Sequence, residues 1–440
     1  MSLKVFTVFE DRQVKLKVSY EEMSELLSFK GLFGNGNFVV QADGTLLVKH
    51  YIGYVSGKHV ALQVLPKVYQ DEVQTIRETE KDEAVQLFFR LLNWSGFAGI
   101  KEMPDTQTIS SFKGDLLEIF ISLFTSKFLK TFVRNTYRQY VELDEDKQFI
   151  KGKIDFSKTI LRCGYRKHMH HVRYDDLTMN NLLNAVFKTV ILHLAERTAS
   201  EENRKKLYIA LSYLDEINII KLSKIVFDSI RFNRLNEEYR PLFNLAKMFY
   251  YNLTPGYRQG DEEVFTFLVP LNRLFENIVY KLTNEVFLVY KNEGYNVQYQ
   301  GPQEYLAKCE KAEVIKLKPD ISIIGDSVDG RKVKSIIDAK YKDPSVISPS
   351  DIYQMVSYAV HYNCKSVMLA YPAFKRNREL VNKPSEYIIP TSAGDISLLV
   401  IQVDIFEEDI NKLKSDFGEM ILTYILNENI NPPAMLGRIE

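Results

Sequence analysis

Two tripeptides, Lys318-Pro319-Asp320 and Asp338-Ala339-Lys340, stand seventeen residues apart in this 440-residue chain and are its best candidates for chemistry. Each lies in an apolar, strand-like run, KPDISII and VKSIIDAKY. Residues two apart on a strand share a face, so Asp338 and Lys340 point the same way. A hairpin through Gly325–Gly330 would lay the runs antiparallel and bring Asp320 beside Asp338. Two carboxylates and a backbone carbonyl, that of Ala339, make a hard oxygen site for Mg2+, with Mn2+ as a substitute. Such an ion lowers the pKa of water and neutralises charge on a phosphodiester, while Lys340 orients the attacking water or helps to deprotonate it. The residues alone thus point to a metal-dependent phosphodiesterase. The alternative is a pair of surface strand carboxylates with a solvated lysine. Against it stands the cost of placing charges in so apolar a strand unless they are paired or metal-bound.

Around these tripeptides the pattern is helix (271–290), strand (295–300), strand (314–324), strand (332–341), helix (350–362), strand (365–371), strand (397–405) and a final helix. Alternating strands and helices predict a mixed α/β domain from about residue 263. Upstream, KVFTVFE, RQVKLKV, GNFVVQ, GTLLVKHYIGYV and HVALQVLPKVY alternate as strands, with one helical stretch, SYEEMSELLSF. An acidic stretch, Asp71 to Glu83, leads into a helix at AVQLFFRLLNW. Residues 114–250 are mainly helical: DLLEIFISLFTSKFLKTFVRNTY spaces its apolar residues for a helix. So does LTMNNLLNAVFKTVILHLAERTA, with Asp176 or Thr178 as its cap. QFIKGKIDFSKTI reads as a short extended element between them, and YNLTPGYRQGDE (251–262) as the major boundary. The expected fold class is α+β multidomain: a β-rich segment 1–113, a mainly helical segment 114–262 and a mixed-sheet domain 263–440.

The order of these elements resembles the PD-(D/E)XK nuclease superfamily, in which a helix bearing Glu precedes a Pro-Asp strand, a D-x-K strand and a helix often bearing Gln. Here Glu276 in LNRLFENIVYKL, Asp320, Asp338, Lys340, and Gln354 with Tyr358 in DIYQMVSYAV fall in that order. Further segments resemble the McrC family across roughly residues 40–360: GTLLVKHYIGYVSGKHVALQVLPKVY, FFRLLNWSG, IKGKIDF, DDLTMNNLLNAVFK and RFNRLNEEYRPLFNLAKMF. The resemblance implies the nuclease subunit of a McrBC modification-dependent restriction system. That subunit cuts double-stranded DNA beside McrB, a GTP-hydrolysing AAA+ ring that recognises methylated cytosine. It further implies that Glu276 completes the metal shell, that Gln354 orients Lys340 or the scissile phosphate, and that 1–113 docks and 114–262 couples to the partner. A stand-alone nuclease and an inactive scaffold are the alternatives.

GTP belongs to the partner on this reading. A phosphate-binding loop needs GxxxxGK[ST], and the nearest glycine cluster, GLFGNGNF (31–38), lacks the Lys-Ser/Thr. With 57 Lys+Arg and 57 Asp+Glu the chain has zero net charge, which excludes whole-molecule attraction to DNA but not a local basic groove. Residues 127–173 hold 12 Lys+Arg against 5 Asp+Glu, and Lys311–Lys342 eight against five. In the first stretch Tyr137, Tyr140, Phe149 and Tyr165 suit either stacking on nucleic acid or a solvated face. His168, His170 and His171 lack acidic or thiolate partners at ligand spacing, and the three cysteines, Cys163, Cys309 and Cys364, form no CxxC pair. No apolar run approaches the ~18 residues that span a bilayer, and the amino terminus lacks a signal-peptide core. The expectation is a cytoplasmic protein that does not enter membranes.

Overall fold

The computed structural model describes residues 3–41, 43–67, 78–97, 103–253, 265–309, 312–327, 330–343, 347–374, 378, 381, 383–392 and 394–425. The chain forms two compact units, residues 1–97 with 266–440 and residues 98–265. The first unit begins with β1 (Lys4–Phe9), β2 (Val14–Lys15), α1 (Tyr20–Ser28), β3 (Phe38–Val40), β4 (Thr45–Val48), β5 (Tyr51–Ser56), β6 (Val60–Leu65) and α2 (Glu78–Ser95). Helix α1 starts at a capping box, where the Ser19 hydroxyl accepts from the Glu22 N–H and the Glu22 carboxylate accepts from the Ser19 N–H. The expected GTLLVKHYIGYV strand is broken at Lys49-His50, with His50 at φ +62°. The GLFGNGNF segment is a 3-10 turn followed by bends into β3, without a phosphate-loop strand and helix on either side. Of the acidic stretch 71–83, residues 71–77 lie outside the described residues and the rest opens α2.

The second unit contains α3 (Thr106–Ser111), α4 (Leu116–Arg134), β7 (Gln139–Lys147), β8 (Lys153–Ile154), α5 (Phe156–Cys163), β9 (His170–Thr178), α6 (Leu182–Arg197), α7 (Glu201–Ser212), α8 (Lys224–Ser229) and α9 (Arg240–Leu253). It is less purely helical than expected, because β7, β9 and β8 form an antiparallel sheet in that order. QFIKGKIDFSKTI is correspondingly a bend after β7, a two-residue strand and the start of a helix. Asp176 and Thr178 belong to β9, so neither caps α6; Asn181 does, accepting from the Asn184 N–H. The alternation in HHVRYDDLT favours pairing with β7 over continuation of the helix. Phe124, Phe128, Phe187 and Tyr239 pack at the centre of this unit.

The chain returns to the first unit with β10 (Phe265–Pro270), α10 (Leu271–Leu288), β11 (Asn296–Tyr299), β12 (Glu304–Cys309), β13 (Ala312–Leu317), β14 (Ile321–Ser327), β15 (Gly330–Ala339), α11 (Pro349–Tyr362), β16 (Ser366–Pro372), β17 (Ser385–Ile389), β18 (Ile396–Val403) and α12 (Ile410–Ile425). Strand β10 completes an amino-terminal sheet of order β1-β6-β5-β10. Gly53 permits the close approach: at φ +134° in β5, any Cβ would collide with the Phe267 carbonyl of β10. This pairing joins 1–97 to the carboxy-terminal half, so the chain is divided differently from three consecutive segments 1–113, 114–262 and 263–440. The boundary stretch expected at 251–262 lies mostly outside the described residues.

The same unit holds the small sheet β2-β4-β3, the pair β12-β13 and a six-stranded mixed sheet of order β11-β14-β15-β16-β18-β17. Its central pairs β15–β16 and β16–β18 are parallel, the others antiparallel. Helix α11 covers one face through Met355, Tyr358 and Ala359, packed on Ile336, Val367, Leu369 and Leu398. The strand expected over 314–324 is two strands, parted at Lys318-Pro319-Asp320. Pro319 has no N–H for a ladder, and β13 pairs instead with β12. The architecture is α+β and multidomain, and among the described residues no helix is long and apolar enough to cross a membrane.

Candidate active site

Strands β14 and β15 run antiparallel, with Ile321 opposite Ile337, so Asp320, just before β14, comes beside Asp338. The tip of the turn, residues 328–329, lies outside the described residues. Asp320 Oδ2 accepts the Ala339 N–H at 3.0 Å, tying the first tripeptide to the second. Asp338 is 1% exposed, and its Oδ2 lies 2.6 Å from Lys340 Nζ in an ion pair whose angles are not those of a hydrogen bond. Lys340 follows the last residue of β15 and is held there by its own N–H, which donates to the Ala370 carbonyl at 2.8 Å.

Helix α11 supplies the next layer. Lys340 Nζ donates to Gln354 Oε1 at 3.0 Å, Gln354 Nε2 donates to Tyr358 Oη at 3.0 Å, and that hydroxyl donates to the Lys318 carbonyl at 3.2 Å. Gln354 and Tyr358 stand four apart, one turn of the same helical face. Glu276, half-buried on α10, meets Gln300 Nε2 at 3.5 Å. Thus Asp320, Asp338, Lys340 and Gln354 are linked directly, with Glu276 close enough to Asp338, Lys318 and Lys340 to feel their charges.

The charges are strained. Burial, then the neighbouring Asp338 and Glu276 carboxylates, push the Asp320 carboxyl up, against the Ala339 N–H and Lys340. Burial also raises Asp338, with Asp351 adding to it and Lys340 opposing. Glu276 is raised by burial first, while Gln300 works the other way. Burial alone would lower Lys340, but Asp338 and Asp320 outweigh it, so the ammonium is held charged. Asp320, Asp338 and Glu276 outnumber the cations beside them, Lys340 and, at Glu276, Lys318, and a divalent cation would relieve the imbalance. The donor set is all hard oxygen, which fits Mg2+ or Mn2+. Among the described residues no three His, Cys, Asp or Glu side chains close into a ready metal cluster. The fitting ligands are therefore the Asp320–Asp338 pair with backbone help, and Glu276 stands further back.

Sequence reasoning overlooked Tyr299, Gln300 and Asp351. Asp351 is buried, 2.5 Å from Lys342 Nζ and 3.2 Å from the Tyr371 hydroxyl that donates to it. Its place in the first turn of α11 reads simply as favourable helix-end charge. Gln300 lies in a connection without a motif.

The basic stretch 127–173 spreads over α4, β7, β8, α5 and β9. Many of its charges are paired: Lys151 with Asp176 at 2.7 Å, Lys147 with Glu145 at 3.3 Å, and Lys158 with Asp144. Tyr140, Phe149 and Tyr165 are exposed, but Tyr137 is buried near Tyr239 and presents no stacking face. His171 is buried, with Nδ1 2.6 Å from Asp146 Oδ1 and Nε2 against Asp144, a core residue with a carboxylate at each ring nitrogen. Cys163 and Cys364 are buried free thiols, and burial pushes Cys364 up to about 12. The Cys309 side chain lies outside the described residues.

Comparison with known proteins agrees with this architecture. A chain in the refined half-complex of Thermococcus gammatolerans McrB AAA+ hexamers with bound McrC, from a tetradecameric assembly, superposes with a TM-score of 0.74 at 21% identity. The match covers 95% of this chain and 99% of that one, and so shows a shared fold. A chain of the cryo-EM Thermococcus gammatolerans McrBC complex matches at 23% identity and a TM-score of 0.49, over 64% of this chain and 88% of that one. No curated protein matches the chain. Residues 46–372 match the family described as McrBC 5-methylcytosine restriction system component. With well over half of its length matched, the chain belongs to that family of McrBC restriction components.

Proposed function

We propose that this chain is the McrC-like endonuclease subunit of a GTP-dependent, modified-cytosine-directed DNA restriction complex. On this reading its carboxy-terminal sheet is a PD-(D/E)XK nuclease domain that cleaves phosphodiester bonds of double-stranded DNA in the cytoplasm. GTP is bound by an McrB-like AAA+ partner, whose hydrolysis this chain stimulates. The observation that carries the proposal is the Asp320–Asp338–Lys340 centre, with Lys340 buttressed by Gln354 and Tyr358. Family membership and the fold shared with a chain of an McrB–McrC assembly give it context.

Asp320 and Asp338, with the Ala339 carbonyl, would hold Mg2+, Glu276 completing the shell. When bound, that ion supplies positive charge that acidifies water and neutralises the phosphodiester. Lys340 stays an ammonium beside Asp338, so it donates hydrogen bonds and orients the attacking water rather than removing its proton. Gln354 fixes the direction of that ammonium. Loss of the ion's charge from so acidic a centre would also leave phosphate facing three carboxyls, which explains why cutting should require the metal. We assign docking to the amino-terminal segment and coupling to residues 98–265, which carry no part of this centre.

The purified chain should be mixed with methylated DNA and Mg2+, alone or with its partner and GTP. The proposal expects cleavage only in the full mixture. Strong cleavage by the chain alone would favour a stand-alone nuclease. Retained cleavage by an Asp338→Ala complex would make this centre a scaffold.

A further inference from the structure

Gln300 has a left-handed backbone, φ +52°, just past the end of β11. A non-glycine residue there is strained, and such strain persists where the surroundings impose it, often at functional sites. Glycine would relieve it. The chain keeps instead a long amide, and apart from its carbonyl, which accepts from Gln303 Nε2, the contacts of that residue lead to the candidate site. Its N–H donates to the Asp320 carbonyl at 2.6 Å. Its side-chain Nε2 reaches Glu276 Oε2 at 3.5 Å and Tyr299 Oη at 3.3 Å. Tyr299 itself stacks at a tilt on Tyr280 of α10, ring centroids 5.0 Å apart, one turn beyond Glu276.

We propose that Gln300 is a positioning residue, whose backbone anchors the Asp320 carbonyl while its amide aims Glu276 at the Asp320–Asp338 pair. This rests on the nuclease reading above and deepens it. Without the amide, the half-buried Glu276 carboxylate keeps only the neighbouring Tyr299 hydroxyl beside it and loses the donor that ties it to the Asp320 anchor, so the third oxygen donor is present but poorly aimed.

Gln300→Gly separates the two roles, because it keeps the N–H, eases the left-handed backbone and removes the amide. Mn2+ binding to the full chain, followed by electron paramagnetic resonance, should weaken about three- to tenfold, with the melting temperature unchanged or raised. In the partner-loaded complex the Mg2+ concentration for half-maximal cutting should rise by a similar factor. The effect should vanish in a Glu276→Gln background, where there is no carboxylate to aim; a merely structural role would persist there. Gln303→Ala, which removes only a donor to the Gln300 carbonyl, is the control and should bind Mn2+ like the wild type. Unchanged Mn2+ affinity in Gln300→Gly, or loss of its fold, would overturn the proposal. A wild-type chain that binds Mn2+ but never cuts DNA with its partner would refute the nuclease reading and leave the Gln300 comparison to stand on binding. A wild type that binds no Mn2+ would overturn both.

Discussion

Glu10 offers a quantitative check on the packing of the unit that carries the site. Its carboxylate, 3% exposed at the end of β1, accepts the His50 N–H at 3.3 Å and lies 4.0 Å from Lys67 Nζ. Burial dominates and raises it from 4.5 to about 7, with Lys67 opposing and Asp11 adding. An acid raised on folding binds protons more tightly in the native state. Its contribution is therefore fully present below about 4.5 and is lost as pH rises to about 7. At about 1.4 kcal/mol per tenfold change in proton affinity, the loss is about 3 kcal/mol. Glu10→Gln removes the titration. Its amide gains donors that need partners, at a cost of about 1–3 kcal/mol, so the slope and not the level is the test. Urea unfolding of wild type and variant, at intervals from pH 4.5 to 8, should give stabilities whose difference changes by about 3 kcal/mol in the variant's favour as pH rises. Parallel curves would refute the assignment of a raised, buried acid at this position.

Asp338→Asn should abolish cutting in the complex while raising the melting temperature of the chain, because it removes a buried charge that the fold resists; activity retained, or stability lowered, would contradict this. Tyr358→Phe deletes the link between Gln354 and the Lys318 carbonyl and should slow cutting about tenfold, the worth of about one hydrogen bond, whereas Lys340→Ala removes far more; single-turnover rates compare the two. Gly53→Ala should destabilise the amino-terminal sheet by several times the ~1 kcal/mol of an ordinary glycine substitution, since its Cβ meets the Phe267 carbonyl, and hydrogen exchange in β5 and β10 should report it.

The site was more legible in the sequence than the partition of the chain. Asp320, Asp338 and Lys340 could be brought together in advance because a hairpin and a two-residue strand period leave little choice, and Gln354 came from the order of elements in a resembling family. Gln300 and Asp351 could not, since their importance lies in a left-handed backbone and in contacts far along the chain. The partition failed for a similar reason. Strand β10 is apolar and short, and only its pairing with β5, more than two hundred residues earlier, makes the first 97 residues part of the carboxy-terminal unit. In 127–173, charge composition suggested helix and loop, while the alternation in β7 and β9 that builds a sheet was passed over. Pro319, quoted as part of a strand, proved to be its interruption.

The central claim is that the Asp320–Asp338–Lys340 centre cuts DNA. It is tested most directly by Lys340→Ala in the complex reconstituted with its AAA+ partner, GTP, Mg2+ and methylated DNA, scoring double-strand breaks and GTP hydrolysis in the same tube. The account predicts that breaks fall to background while GTP hydrolysis and assembly stay at the wild-type level. Breaks at the wild-type rate, with the complex intact, would contradict it.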